Sequence, residues 1–339
     1  LDGYLNSELN SLTNKNPAPA QTIYPKAAED APYSMPEDTL RAAIHIPQSF
    51  SFGRGRTPVI LVPGTGIPAG TTYHFNFAKL VNSIPVDVIW VNLPRASLSD
   101  AQVNAEYVAY AINYISTVCG GEQVAVLSWS QGGLNTQWAL KYWPSTRALV
   151  KDFIAMSPDF HGTLVRSLVC PSLDLLVCTP SLWQQGWETE YIHTLRGDGG
   201  DSAYVPTTTI YSTFDEIVQP ISGPHASAIL GDERRVGVTN VHLQSACATM
   251  PAGGVYTHEG VLYNPLAWAL AIDAITHDGP ANLSRVDLER VCQQALAPAL
   301  DLTDLFGTEG LLLIAVAELV LYNPPALGES PIMDYASSQ

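Results

Sequence analysis

The stretch Val124-Ala125-Val126-Leu127-Ser128-Trp129-Ser130-Gln131-Gly132-Gly133 passes from an apolar, β-branched run straight into small residues. Its first half has the composition of a strand buried on both faces, and its glycines open a helix. A serine at such a turn reads as a nucleophile elbow. The turn is strained, demands small neighbours two residues to either side, and lifts Oγ above the sheet. Ser130 fits that position. The usual pattern is G-x-S-x-G, and here Ser128, small but not glycine, replaces the first glycine. The competing reading is a serine in an ordinary strand-to-helix turn.

Working outward, residues 58–62 form another short apolar run, ending at Pro63-Gly64, and residues 86–91 repeat it. Further strands are predicted at 123–128, 153–157, 207–212 and 238–243. Val103, Tyr107, Ala111 and Ile115 recur at helical spacing, with Ser99 or Asp100 as cap and Gly120-Gly121 past the end. Strands alternating with helices at this spacing predict an α/β fold with a mostly parallel sheet covered on both faces, and the elbow makes it an α/β-hydrolase. Residues 1–50, rich in Pro, Asn and Ser, read as an arm over the core, and 51–339 as one catalytic domain. Residues 311–321, interrupted by Glu318, read as a core or pocket-lining helix.

Composition narrows the function. The chain has 339 residues and a net charge of −16, with 16 Lys+Arg against 32 Asp+Glu, which repels phosphate backbones and anionic membranes. Nucleic acid is therefore disfavoured as a partner. No apolar run approaches the ~20 residues that span a bilayer. The chain begins at Leu1 with no signal-like segment, so any targeting peptide is expected to have been removed. Five cysteines are an odd number. Cys170 and Cys178 flank a short loop that suits a local bridge, Cys247 and Cys292 could close a longer one, and Cys119 would then be free. None has C-x-x-C spacing, so zinc and dithiol redox chemistry lack their signature. One sequon, Asn282-Leu283-Ser284, agrees with secretion.

The loop Pro63-Gly64-Thr65-Gly66 lies where a hydrolase of this kind places one oxyanion donor, and the other comes from the residue after the nucleophile. Those are Thr65 and Gln131. The same glycines could be read as a dinucleotide-binding turn with Asp87 as ribose ligand, but Pro68 occupies the turn and Asp87 falls near the start of its strand. The fold sets the order Ser, acid, His along the chain. His258, in the glycine-flanked turn 253–260, is the candidate base among six histidines after Ser130. Asp215, just past the strand at 207–212, is the candidate acid; Asp159 is expected at the pocket rim or in a salt bridge.

Several stretches, in the same order over about residues 57–298, resemble the Candida antarctica lipase B-like family of secreted fungal α/β-hydrolase lipases. They include 58–66, Gln102-Val103-Asn104-Ala105-Glu106-Tyr107, 127–134, Pro158-Asp159-Phe160-His161-Gly162-Thr163, Pro180-Ser181-Leu182-Trp183-Gln184-Gln185 and 211–220. The resemblance implies no metal and no organic cofactor, Ser130, Asp215 and His258 as triad, and Thr65 with Gln131 as oxyanion hole. It places Trp129 on the alcohol side of the pocket and Asp159 with Ile217 on the acyl side. It also makes Ser128 expected. Departures are Thr257, where the family has Asp before the base, and Cys292, standing in for a cysteine position near His277-Asp278. Pocket walls are expected at 168–182 and 296–300, with Leu296 against substrate, a lid-like segment near 168–196, and Leu173, Leu175 and Leu176 at the entrance.

The expected activity is hydrolysis of carboxylic esters of lipids, with turnover at a lipid–water interface and no protein partner. The rivals are a carboxylesterase for short soluble esters and a catalytically silent hydrolase fold used for binding.

Overall fold

The computed structural model describes residues 8–164, 170, 178–223 and 225–337. Seven strands form one sheet: β1 (Ile44–His45), β2 (Thr57–Val62), β3 (Val86–Val91), β4 (Val124–Trp129), β5 (Val150–Met156), β6 (Thr207–Tyr211) and β7 (Val238–His242). Their order is β1-β3-β2-β4-β5-β6-β7, with β1 antiparallel to β3 and every other pairing parallel. The helices that matter for the site are α1 (Ala101–Val118), α2 (Gln131–Tyr142), α3 (Pro265–Thr276), α4 (Leu302–Glu309) and α5 (Leu311–Leu321).

The sheet separates two apolar clusters, and β2 shows how. Ile60 and Val62 join the cluster with α1 and α2, while Val59 and Leu61 join the one with α3. Side chains alternate between faces along a strand, so a strand covered on both sides must be apolar at every position. Each such side chain contributes roughly 1.5–3 kcal/mol when fully buried. Helix α1 starts where the Asp100 carboxylate accepts the Gln102 N–H at 2.8 Å, and it stops before Gly120 and Gly121, both at positive φ.

Two departures from the sequence reading have simple causes. Strand β5 begins at Val150, three residues before the apolar run at 153, because Lys151 and Asp152 break that run without ending the pairing. Strand β1 lies in the segment read as an arm, and two residues are too few to show alternation. Residues 8–50 also dock through polar contacts. Leu9 O accepts from Trp90 Nε1 and Asn92 Nδ2, and the buried Glu106 carboxylate accepts the Ser34 and Met35 N–H groups.

Cys170 is bonded to Cys178 and Cys247 to Cys292; Cys119 is a buried free thiol, its pKa pushed up to about 12 by burial. Asp87 is occupied in the fold, its carboxylate accepting from Ser51 N–H and Arg56 Nε at the start of β3. Because the parallel strands all exit on one edge, the segments after β2, β4, β6 and β7 converge there, and that edge carries the site.

Asp152 on β5 is fully buried, and neither carboxylate oxygen has a hydrogen-bond partner among the described residues. Burial raises its pKa to about 8. The folded chain therefore holds a proton that the unfolded chain releases near pH 4, and stability should fall by about 1.4 kcal/mol per pH unit between those limits. Denaturant midpoints from pH 5 to 9 should fall more steeply for wild type than for Asp152→Asn. Parallel curves would contradict this.

Candidate active site

Ser130 stands between β4 and α2 with φ +56° and ψ −132°, in the left-handed half of backbone space that a non-glycine residue rarely enters. Its N–H donates to Met156 O at 3.0 Å, and its hydroxyl makes no capping bond to α2. The close approach of α2 to β2 explains the small residues. A Cβ on Gly132 would sit 2.4 Å from Val62 O, and one on Gly64 would sit 2.9 Å from Ser130 Cβ. Ser128 is fully buried in β4 and its Oγ finds no partner among the described residues, so this position requires only that the side chain be small.

His258 Nδ1 and Asp215 Oδ2 are 2.8 Å apart, and both residues are buried. The other oxygen of Asp215 accepts the N–H groups of Ile217 and Val218 at 2.9 and 2.8 Å, which fixes the carboxylate in place. The loops that carry Asp215 and His258 are themselves joined: Ser212 Oγ donates to Tyr256 O at 2.6 Å. Thr257, at the position before His258, accepts the Gly260 N–H and donates to Glu309. Trp129 Nε1 donates to His258 O at 3.0 Å, so this tryptophan supports the histidine loop as well as lining the pocket.

Burial lowers the His258 pKa, but the Asp215 charge and hydrogen bond, with Glu259 and Glu216, outweigh that and the net shift is upward. Glu216 also accepts the His258 N–H at 3.2 Å. Glu259 and Asp159 are both pushed up to about 7 by burial.

Ser130 and His258 line one cavity of about 270 Å³ with Thr65, Trp129, Ile217 and Gln185. Larger clefts of about 440 and 510 Å³ exist among the described residues, lined by residues such as Gly53 and Lys151 or Glu29 and Arg234, and neither contains Ser130 or His258. Helix α5 closes the cavity from above with Leu312, Val316, Leu319 and Val320. Gln131 begins α2, where the first N–H groups have no partner within the helix. Thr65 Oγ1 donates toward Gln131 Oε1 at 2.7 Å and Gln185 Oε1 at 3.0 Å.

Ser130, His258, Asp215, Thr65, Gln131, Trp129 and Ile217 are thus brought together; Asp159 lies buried near His258 without lining the cavity, and Leu296 is not brought to the site. Leu296 packs against the apolar cluster beside α3 and does not line the cavity. Asp159 is 1% exposed rather than at a rim, and makes no ion pair among the described residues. The preceding Pro158 packs on α2, 2.8 Å from where a Gly133 Cβ would be, and Asp159 lies beneath the surface next to it. Of the expected walls, Leu182 lines the cavity; Leu173, Leu175 and Leu176 lie outside the described residues. The C-terminal wall is α5, not residues 296–300. The sequence reading did not single out Gln185 or Thr163, which line the cavity but stand in stretches with no catalytic pattern of their own. Among the described residues, no group of three or more His, Cys, Asp or Glu is placed to hold a metal ion.

No family model matches the chain. Lipase B of Pseudozyma antarctica is 34% identical over 251 residues, covering 74% of this chain and 70% of that protein. The crystal structure of Aspergillus fumigatus lipase B superposes with a TM-score of 0.95 at 68% identity, over 98% of this chain and 80% of that one. The propeptide form of Bacillus licheniformis lipase BlEst2 shares the fold at 15% identity, with a TM-score of 0.52 over 70% of this chain and 54% of that one.

The raised His258 pKa has a direct consequence if His258 must be neutral to accept a proton. The acid limb of kcat/KM on a soluble ester should lie above pH 6.5, the ordinary histidine value. It should move down in Glu216→Gln combined with Glu259→Gln. A limb below 6.5, or one that the double variant leaves in place, would contradict the electrostatic account.

Proposed function

The chain belongs to the lipase B family of α/β-hydrolases, and on that premise we propose that it cleaves lipid esters through an acyl-enzyme formed on Ser130. As a member of that family it is a carboxylic ester hydrolase, and lipid esters are its substrates. The observation that carries the residue assignment is the shared cavity: a strained, uncapped serine and a carboxylate-held histidine line one apolar space.

In this reading His258 donates its Nδ1 proton to Asp215, which leaves Nε2 as the acceptor for the Ser130 hydroxyl proton. Ser130 Oγ attacks the ester carbonyl. The negative charge that develops on the carbonyl oxygen is met by donors at Thr65 and Gln131. Collapse expels the alcohol, protonated by His258; water then attacks the acyl-enzyme by the same proton route and releases the acid.

Secretion is part of the proposal, supported by two disulfides and by the exposed sequon asparagine Asn282. Contact with a lipid surface is supported by α4 and α5. Phe306, Leu313 and Leu321 are 69%, 76% and 75% exposed, the latter two on the helix that roofs the cavity, a costly arrangement in water that a lipid surface would relieve. No helix among the described residues is long and apolar enough to cross a membrane.

Two measurements test this. Asp215→Asn should lower kcat by about 10⁴-fold, because the imidazole then settles in the wrong tautomer, whereas Asp159→Asn should cost far less; the reverse ranking would exchange their roles. Separately, hydrolysis of a short-chain triacylglycerol should jump at its solubility limit. Leu313→Ser with Leu321→Ser, neither of which lines the cavity, should lose the jump and keep the rate below the limit. A smooth wild-type curve would favour the soluble-ester carboxylesterase.

A further inference from the structure

The segment Leu93-Pro94-Arg95-Ala96-Ser97-Leu98 follows β3 and contains three consecutive non-glycine residues at positive φ: +52°, +53° and +66° at Arg95, Ala96 and Ser97. L-residues avoid this region, and such strain persists only where the surroundings fix it. Three contacts do so here. Ala96 O accepts the Gly66 N–H at 2.8 Å, and Ser97 O accepts both Gln131 Nε2 at 3.2 Å and Asn104 Nδ2 at 3.0 Å. The turn's carbonyls are therefore spent on the residue after Thr65 and on Gln131 itself.

The Arg95 side chain points the other way. Its guanidinium stacks 3.7 Å from the centre of the Tyr322 ring and donates to Asn323 O at 2.7 Å, at the C-terminal end of α5. Helix α5 in turn presses on Gly66, where an added Cβ would meet Ala315 Cα at 3.0 Å. Gly66, itself at φ +77°, is held between the strained turn and the helix. The contacts close a ring: Arg95 to the end of α5, α5 to Gly66, and Gly66 back to Ala96.

We propose that Arg95 is a positioning residue that sets the oxyanion side of the site and the position of the apolar helix above Ser130 together. With the guanidinium in place, α5 seats Ala315 on Gly66, and the turn holds the Gly66 amide and the Gln131 carboxamide in register. Without it, the end of α5 is free to shift, and the register of both shifts with it. This inference rests on the reading of Thr65 and Gln131 as the oxyanion hole.

The test uses a soluble p-nitrophenyl ester, so that surface binding does not enter. Arg95→Asn keeps a residue that tolerates the left-handed turn and removes the reach to α5; Tyr322→Leu removes the stacking face from the far side. Arg95→Asn should lower kcat about five- to tenfold with KM within about twofold, the pattern of an interaction felt mainly in the transition state. Arg95→Lys should recover part of the loss. Tyr322→Leu should lower kcat in the same way, and the double variant should be no worse than Arg95→Asn alone, because both cut one link. Unchanged kcat, a pure KM effect, or additive losses would overturn the proposal. If Arg95→Asn does not fold, Tyr322→Leu decides alone by the same kcat criterion. Ser130→Ala is measured in parallel: turnover there would defeat the nucleophile assignment, not the positioning role of Arg95.

Discussion

The left-handed turn at Ser130 is the constraint on which the site depends. With φ at +56°, the chain reverses from β4 into α2 so sharply that the first turn of the helix lies against the end of β2. Gly132 must then lack a side chain because Val62 O occupies the space, and Gly64 because Ser130 and Trp129 occupy it. The same approach sets Thr65 beside Gln131. Strain at one residue, held by close packing of two elements, thus places the Ser130 hydroxyl next to Thr65 and the first N–H groups of α2, the arrangement on which the proposed mechanism rests.

Charge organises the other half of the site. His258 is buried among carboxylates, yet among the described residues only Asp215 bonds its ring. The charge and hydrogen bond of Asp215, with smaller contributions from Glu259 and Glu216, keep the His258 pKa above the ordinary value against desolvation. Asp215 carries the burden of orientation because two backbone N–H groups hold its second oxygen. Asp159, equally buried, finds no donor for one oxygen among the described residues, and burial drives it toward the neutral form near pH 7. Two carboxyl groups close to one histidine are separated in role by what hydrogen-bonds to them.

Much of this was legible in the sequence because it depends on local patterns. The buried strands, the elbow at 128–133 and the α1 boundaries follow from apolar runs, caps and glycines, and the structure places them within a few residues. The cavity roof was only half legible. Residues 311–321 read as a core or pocket-lining helix, but its apolar residues point both ways: Leu311 is buried while Leu313 and Leu321 are exposed, so periodicity could not say which face meets the site. Leu296 was assigned to the pocket by resemblance, and α5 takes that place instead. Gln185 and the turn at Arg95 were not legible as site features, since their significance lies in contacts made across 120 and 228 positions of sequence.

The central claim is that Ser130 is the sole nucleophile, and covalent trapping tests it most directly. A p-nitrophenyl alkylphosphonate should add once per chain, with the adduct mapped by mass spectrometry to the peptide containing Ser130, and hydrolytic activity should fall in proportion to the modified fraction. An adduct on another residue, or full activity in fully modified protein, would contradict the account.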